Sequence, residues 1–365
     1  MIRILLTGIG AGAAAALLFA SVTSGIGLSV VLFYLAPLPI MIVALGWSHW
    51  AGLAAAVAAA AMLGGAFGIF FFLMFLVSVG APAWWLGYLA LLGRPIANGG
   101  TPHMEWYPPG RLVLWAAVIG ATVTTGALAS FGGDEATIRN SLKGALEQIL
   151  RPQERTGSDQ TVSKSLKTGM LEAAAPADGP QQAPDPSAGP SVDAPAAVPA
   201  SAADDIELMI DMLARFLPPA AAVIAALTQA ANLWLAGIVV RMSGRLLRPW
   251  PDLTALSFPP LAAVLFGALL GGSLLPGLLG LVASLFAATV TVAFAMVGFA
   301  VVHTLTRGMN GRAVILWGTY LCVLFLLWPV VVMTIIGVAE TLFGLRGRFS
   351  RRGPPAAHNR PKNGT

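Results

Sequence analysis

The chain predicts an all-α, polytopic transmembrane bundle of roughly eight to ten membrane helical elements, and three observations carry that expectation. Of its 365 residues 57% are apolar and only 10% charged, against ~45–50% and ~25% in soluble domains. Its mean hydropathy is +0.79. Apolar runs long enough for a crossing, which needs ~20 residues, recur on both sides of one hydrophilic stretch. Basic residues gather at the ends of those runs and in the tail, so the net charge of +5 reads as membrane orientation and not as a nucleic-acid surface. The single cysteine, Cys322, excludes an internal disulfide and a thiolate metal cluster within one chain.

The first run, Ile4 to Ser24, has the apolar stretch of a signal peptide. However, Ala20-Ser21-Val22-Thr23 lacks a small-x-small cleavage pattern and more spans follow, so a membrane helix is expected. Gly8, Gly12, Ala16 and Ala20 fall four apart, which makes a helix-docking face for another helix of the chain or for a partner subunit. Leu28 to Gly46 contains Pro37 and Pro39; each removes a donor, so the helix breaks near its middle. Broken membrane helices can line ligand cavities, and neighbours can equally re-satisfy the freed carbonyls. Trp47, His49 and Trp50 mark an interface.

Ala51 to Val79 is overlong for one crossing and either tilts or bends at Gly64-Gly65 and Gly68. Pro82 to Leu92 reads as a half-helix or a short crossing. His103 and Glu105 sit in a chemically mixed loop at the interface, where two ligands do not make a metal site. Leu112 to Phe131 crosses, completing an N-terminal helical region over 1–131. Over 132–150, Ile138, Leu142, Leu146, Ile149 and Leu150 repeat at helical spacing and give an amphipathic helix.

From 151 to 203 the composition collapses into Pro, Ala, Ser, Gly, Asp and Gln, which predicts a disordered linker. Order resumes over 204–343. A surface helix with Asp211 placed for Arg215 runs up to Pro218, then Ala220 to Val240 crosses with Gln229 and Asn232 in it and Arg241, Arg245 and Arg248 at its exit. A buried amide in lipid must find a partner, on a neighbouring helix or on a substrate. Leu261 to Gly271 and Leu278 to Val302 are further spans. Ala313 to Phe343 is overlong and interrupted at Trp328-Pro329, and 344–365 is a basic disordered tail. Crossings number eight or ten according to whether 82–92 crosses and 313–343 passes twice; either count places both termini on one side, taken as cytoplasmic.

No acidic or basic residue lies in the middle of a confident span; Glu340 sits near the end of the last, within reach of Arg346 or Arg348. That weakens ion-coupled carriers and pumps. No Walker A loop, HExxH or Gly-x-Ser-x-Gly occurs, so no enzyme is expected and no cofactor or metal is assigned.

Leu217-Pro218, the run Asn232-Leu233-Trp234-Leu235-Ala236, Arg241, Arg245 and Phe258-Pro259-Pro260 together resemble the bacterial YybS-like family of membrane proteins with a domain of unknown function. The ending Gly337-Val338-Ala339-Glu340-Thr341-Leu342-Phe343-Gly344-Leu345-Arg346 is similar to that family's, with Glu340 where the family's pattern has Asp; the Pro/Ala linker departs from it. The family in turn looks distantly like the substrate-binding subunits of energy-coupling vitamin transporters. The resemblance implies docking to a transmembrane partner through Gly8, Gly12, Ala16 and Ala20, and carries no substrate with it. The expectation is a bacterial inner-membrane protein that binds a small molecule among its helices, through Asn232, Gln229, Tyr34, Pro37 and Pro39, and passes it on with partner subunits. The alternative is a membrane scaffold that organises other proteins. A pocket framed by Asn232, Tyr34 and the tryptophans discriminates the two.

Overall fold

The computed structural model describes residues 2–24, 27–96, 103–150, 200–326 and 328–350. Nearly all of them are helical, and seven helical spans are long and apolar enough to cross a membrane: 2–23, 27–46, 49–67, 69–90, 109–129, 205–242 and 277–305. The protein is a multi-pass helical membrane bundle. Its contacts divide it into one unit of 1–130 with 218–365 and a second of 131–217.

In the first unit, α1 (Ile2–Ala20) packs along α4 (His49–Phe67) through residues too small to hold the backbones apart. A Cβ on Gly12 would lie 2.6 Å from the Ala55 carbonyl oxygen, and one on Gly8 2.9 Å from that of Ala51. Lipid is as apolar as leucine, so close backbone approach, not burial from water, holds such a pair. Gly8, Gly12 and Ala16 are therefore buried within the chain, with Ala20 half-buried beside them. Of the two uses expected of this face, the structure shows the first, packing against another helix of the chain, α4.

The proline break falls where expected, between α2 (Gly27–Tyr34) and α3 (Pro37–Gly46). The parsing of 51–92 is corrected. Gly68, at φ 97°, ends α4, and the next span runs through α5 (Ile69–Phe75), a π-helical turn (Leu76–Gly80) and α6 (Ala81–Ala90) without a gap. Glycine alone takes that backbone angle without strain, and a π turn ahead of Pro82 lets the helix continue past a residue with no N–H. Of the expected alternatives, the break at Gly68 holds and the single tilted crossing does not, and 81–90 is the end of the second span and not a separate half-helix.

The mixed loop is also corrected. β1 (Gly93–Ile96) pairs antiparallel with β2 (His103–Trp106), setting Arg94 opposite Glu105 with a 2.6 Å ion pair. Then α7 (Pro109–Ala129) follows. Among the described residues no three His, Cys, Asp or Glu side chains converge.

The second unit holds α8 (Glu135–Leu150) and the N-terminal part of α9 (Ala200–Met242). The Asp134 carboxylate accepts the Thr137 N–H at 3.0 Å, capping α8. Ile138, Ile210 and Ala214 are buried, and Asp211 pairs with Lys143 instead of the expected Arg215. α9 passes Pro218 and Pro219 as one helix, so the expected stop of a surface helix at Pro218 is also corrected. The expected disordered linker lies outside the described residues over 151–199, while 200–203 already belong to α9.

Back in the first unit, α10 (Pro260–Gly272), α11 (Gly277–Leu305), α12 (Arg312–Leu326) and α13 (Pro329–Phe343) complete the bundle. α11 and α13 cross at a reciprocal glycine contact. A Cβ on Gly298 would fall 1.9 Å from the Met333 carbonyl oxygen, and one on Gly337 2.0 Å from that of Phe294. Phe294, fully buried, meets Phe258 and Phe266 with ring centroids 5.1 and 5.2 Å away. Glu340 is neutralised by Arg346 at 2.8 Å, whose guanidinium also donates to the carbonyls of Thr254 and Leu256. The first residues of the expected disordered tail form a short helix, α14 (Leu345–Ser350); residues 351–365 lie outside the described residues.

Gly298→Val should lower the melting temperature of the detergent-solubilised protein. The cost should be at least the ~1–3 kcal/mol of ordinary overpacking, because the clash is with backbone. Gly10→Ala, which meets nothing within 4 Å, is the control and should leave it unchanged. The Thr137 hydroxyl and N–H hold the Asp134 carboxyl below its usual range. The stabilisation is therefore present above the ordinary carboxylate range and lost as pH falls through the lowered value. Amide exchange in α8, corrected for the intrinsic rate at each pH, should speed up at that acid end in the wild type, and at neutral pH in Asp134→Ala.

Candidate functional site

The C-terminal part of α9 turns two different faces to the bundle. Ala222, Ala226, Gln229, Asn232, Ala236 and Val240 are buried at helical spacing, which sets the two amides on the packed side. There the proline break has a specific consequence. Pro37 and Pro39 bring no N–H, and the Leu38 N–H turns back to the Leu35 carbonyl at 3.0 Å. The Tyr34 carbonyl, left out of the helical ladder, accepts instead from Asn232 Nδ2 at 2.8 Å. The same amide nitrogen donates to its own helix at Thr228 O, also 2.8 Å. Asn232 is 3% exposed and works as a clasp between α9 and the broken helix. Its Oδ1 and the Gln229 Oε1 are buried without a hydrogen-bond partner.

The adjacent face of α9 carries Leu227, Ala230, Ala231, Trp234 and Gly237, spaced i, i+3, i+4, i+7 and i+10 along one stripe. This stripe lines a hollow of about 440 Å³, closed by Leu45, Ala90, Pro109, Leu112, Val113 and Met296 and by the segment Leu246, Arg248, Trp250, Pro251 and Leu253. Leu227, Trp234 and Leu253 are themselves exposed, so the hollow is an open-sided groove. None of the five residues expected to bind ligand lines it. Asn232 and Gln229 occupy the neighbouring face of the same helix, Tyr34 is exposed, Pro39 half-buried and Pro37 packed. Trp234 and Trp250 are the tryptophans of the groove; Trp84 and Trp85 belong to an aromatic cluster with Tyr88 and Trp115.

Arg248 is the residue that sequence reasoning passed over, counted there as one of three exit cations. Gly244, at φ 69°, ends α9, and the Arg245 N–H reaches back to the Val240 carbonyl at 3.1 Å in a Schellman closure. The chain then doubles back, and the three arginines part company. Arg241 lies 5.0 Å from the Trp250 ring and Arg245 4.4 Å from the Trp47 ring. Arg248 turns inward and is 9% exposed. Its Nη1 donates to the Ala90 carbonyl at 3.0 Å and its Nη2 to that of Tyr107 at 3.3 Å, tying down the end of α6 and the strand exit. Its Nε is buried without a partner, and none of the ion pairs among the described residues includes it. Burial pushes its pKa down, yet an arginine stays charged at neutral pH. The signal in the sequence was Pro249, which holds the residue before it out of helical backbone and separates Arg248 from its two neighbours.

A second hollow, of about 480 Å³, lies at the hairpin between Arg94, Glu105, Tyr107 and Arg111; Arg94 pairs with Glu105, and Arg111 lies 6.0 Å from the Tyr107 ring. The fold and the α9 groove define a multi-pass helical membrane protein whose described residues include a ligand-sized apolar hollow carrying a buried cation. Comparison of the chain with protein-family models, curated proteins and solved structures finds no match.

Asn232→Leu should destabilise the solubilised protein by about 1–3 kcal/mol, the cost of an orphaned buried carbonyl. Melting in detergent measures it. Because leucine is close to asparagine in size, that loss reports the donated hydrogen bond and not side-chain volume.

Proposed function

We propose that this is a non-enzymatic integral membrane protein that binds a small molecule among its helices and passes it on with partner subunits, having no energy source of its own. The groove beside α9 carries the reading: its 440 Å³ falls within the ~300–1,000 Å³ of ligand pockets, and its apolar wall with a single charged group matches their usual make-up. The same reading takes the protein as a bacterial inner-membrane protein of YybS-like kind with both termini in the cytoplasm, supported by Arg3 at one end and Arg346 and Arg348 at the other. Partner contact has to use a surface other than the Gly8/Gly12 face. A membrane scaffold is the second reading, favoured by α12, which buries none of its residues.

Native mass spectrometry of the gently extracted protein tests the first reading. A co-purifying small molecule, displaced when Ala231→Trp fills the groove, is the expected outcome. A bare groove, with other envelope proteins retained in the wild type and lost when α12 is substituted, would overturn it in favour of the scaffold.

A further inference from the structure

Resting on the ligand-binding reading, we propose that the groove takes a single-chain amphiphile with a carboxylate head, a fatty acid of the surrounding bilayer, whose head pairs with Arg248. Charge gives the head. Arg248 is the one charged side chain lining the groove, and it is more than nine-tenths buried with Nε unpartnered. A guanidinium presents planar forks of N–H donors suited to a carboxylate, and one cation balances one monoanionic carboxylate. A phosphate of higher charge would lack a second cation in the wall.

Position gives the tail. Arg248 and Trp250 follow the end of α9 at Met242, at the level where Arg241 and Arg245 lie over tryptophan rings, a combination typical of the membrane interface. From Gly237 to Leu227 the groove then follows α9 over ten residues, about 15 Å at 1.5 Å per residue. The apolar wall therefore starts at headgroup level and descends toward the middle of the bilayer, as an acyl chain does. Its open side, bounded by Leu227 and Trp234, gives a chain lateral access from lipid. The volume of about 440 Å³ lies near the lower end of the pocket range, suited to one chain and not to the two of a phospholipid.

The test is competitive binding to the full-length protein in nanodiscs of phosphatidylcholine, followed by native mass spectrometry and by cross-linking of a photoactivatable palmitate. Palmitate, 1-hexadecanol and phosphatidylglycerol are the probes. Wild type should retain palmitate at least tenfold over hexadecanol at equal concentration, with cross-links in residues 227–237. Arg248→Gln should abolish that preference while hexadecanol retention persists. Since Arg248→Gln also removes two backbone contacts, Ala231→Trp is the second variant; it should lose both single-chain probes with Arg248 intact. Equal retention of palmitate and hexadecanol by the wild type would overturn the carboxylate assignment and leave ligand binding in place. Preferential retention of phosphatidylglycerol would overturn the single-chain assignment. Retention of none of the three, together with no cross-link in 227–237, would overturn the proposal along with the reading on which it rests.

Discussion

The bond from Asn232 Nδ2 to the Tyr34 carbonyl is the constraint around which the first unit is arranged. A proline break in a membrane helix creates a carbonyl that lipid cannot satisfy, and an unpaired polar group at that depth is expensive. The chain resolves this by placing an amide from a helix 198 residues away against the break. Once that amide is fixed, the rotation of α9 is fixed. The stripe containing Asn232, Ala236 and Val240 must face the N-terminal helices, and the stripe containing Leu227, Ala231 and Trp234 is left to form the wall of the groove.

Arg248 depends on that rotation in turn. The Schellman closure at Gly244 reverses the chain at the end of α9, and the reversal delivers the guanidinium to carbonyls at the end of α6 and the exit of the hairpin. Both acceptors are backbone, so they hold the cation without cancelling its charge. A buried cation with its charge uncancelled is costly. The guanidinium that carries this cost lines the groove.

The spans were legible because lipid imposes a length and an apolarity that survive in composition. Pro37 and Pro39 announced their break, and Trp328-Pro329 announced the separation of α12 from α13. Gly64-Gly65 and Gly68 stood together as bend positions, and it is the positive φ of Gly68 that marks the break. The continuity of α9 through Pro218-Pro219 runs against the local preference of proline, so sequence placed a boundary where the structure keeps a helix. At the site the helix was legible and the face was not. Polar residues in an apolar run draw attention to themselves, yet here Gln229 and Asn232 serve packing, whereas alanine and glycine make room for the groove. The turn at Gly244 parts Arg248 from Arg241 and the backbone before Pro249 parts it from Arg245, but the partners of Arg248 come from residues about 140 and 160 positions away, a distance over which composition and periodicity are silent.

The glycine pair at the α11–α13 crossing fixes axial register as well as distance. With Gly298 against the Met333 carbonyl and Gly337 against that of Phe294, a slip by one residue would press a side chain onto the opposite backbone at both points. The two helices cannot slide past each other to match a thinner or thicker bilayer. Accommodation of hydrophobic mismatch, by tilt or local deformation of lipid, then falls to elements without such a lock. The thirteen-residue α10 packs against the twenty-nine-residue α11, so the lipid beside that short helix is where a change in bilayer thickness has to be met.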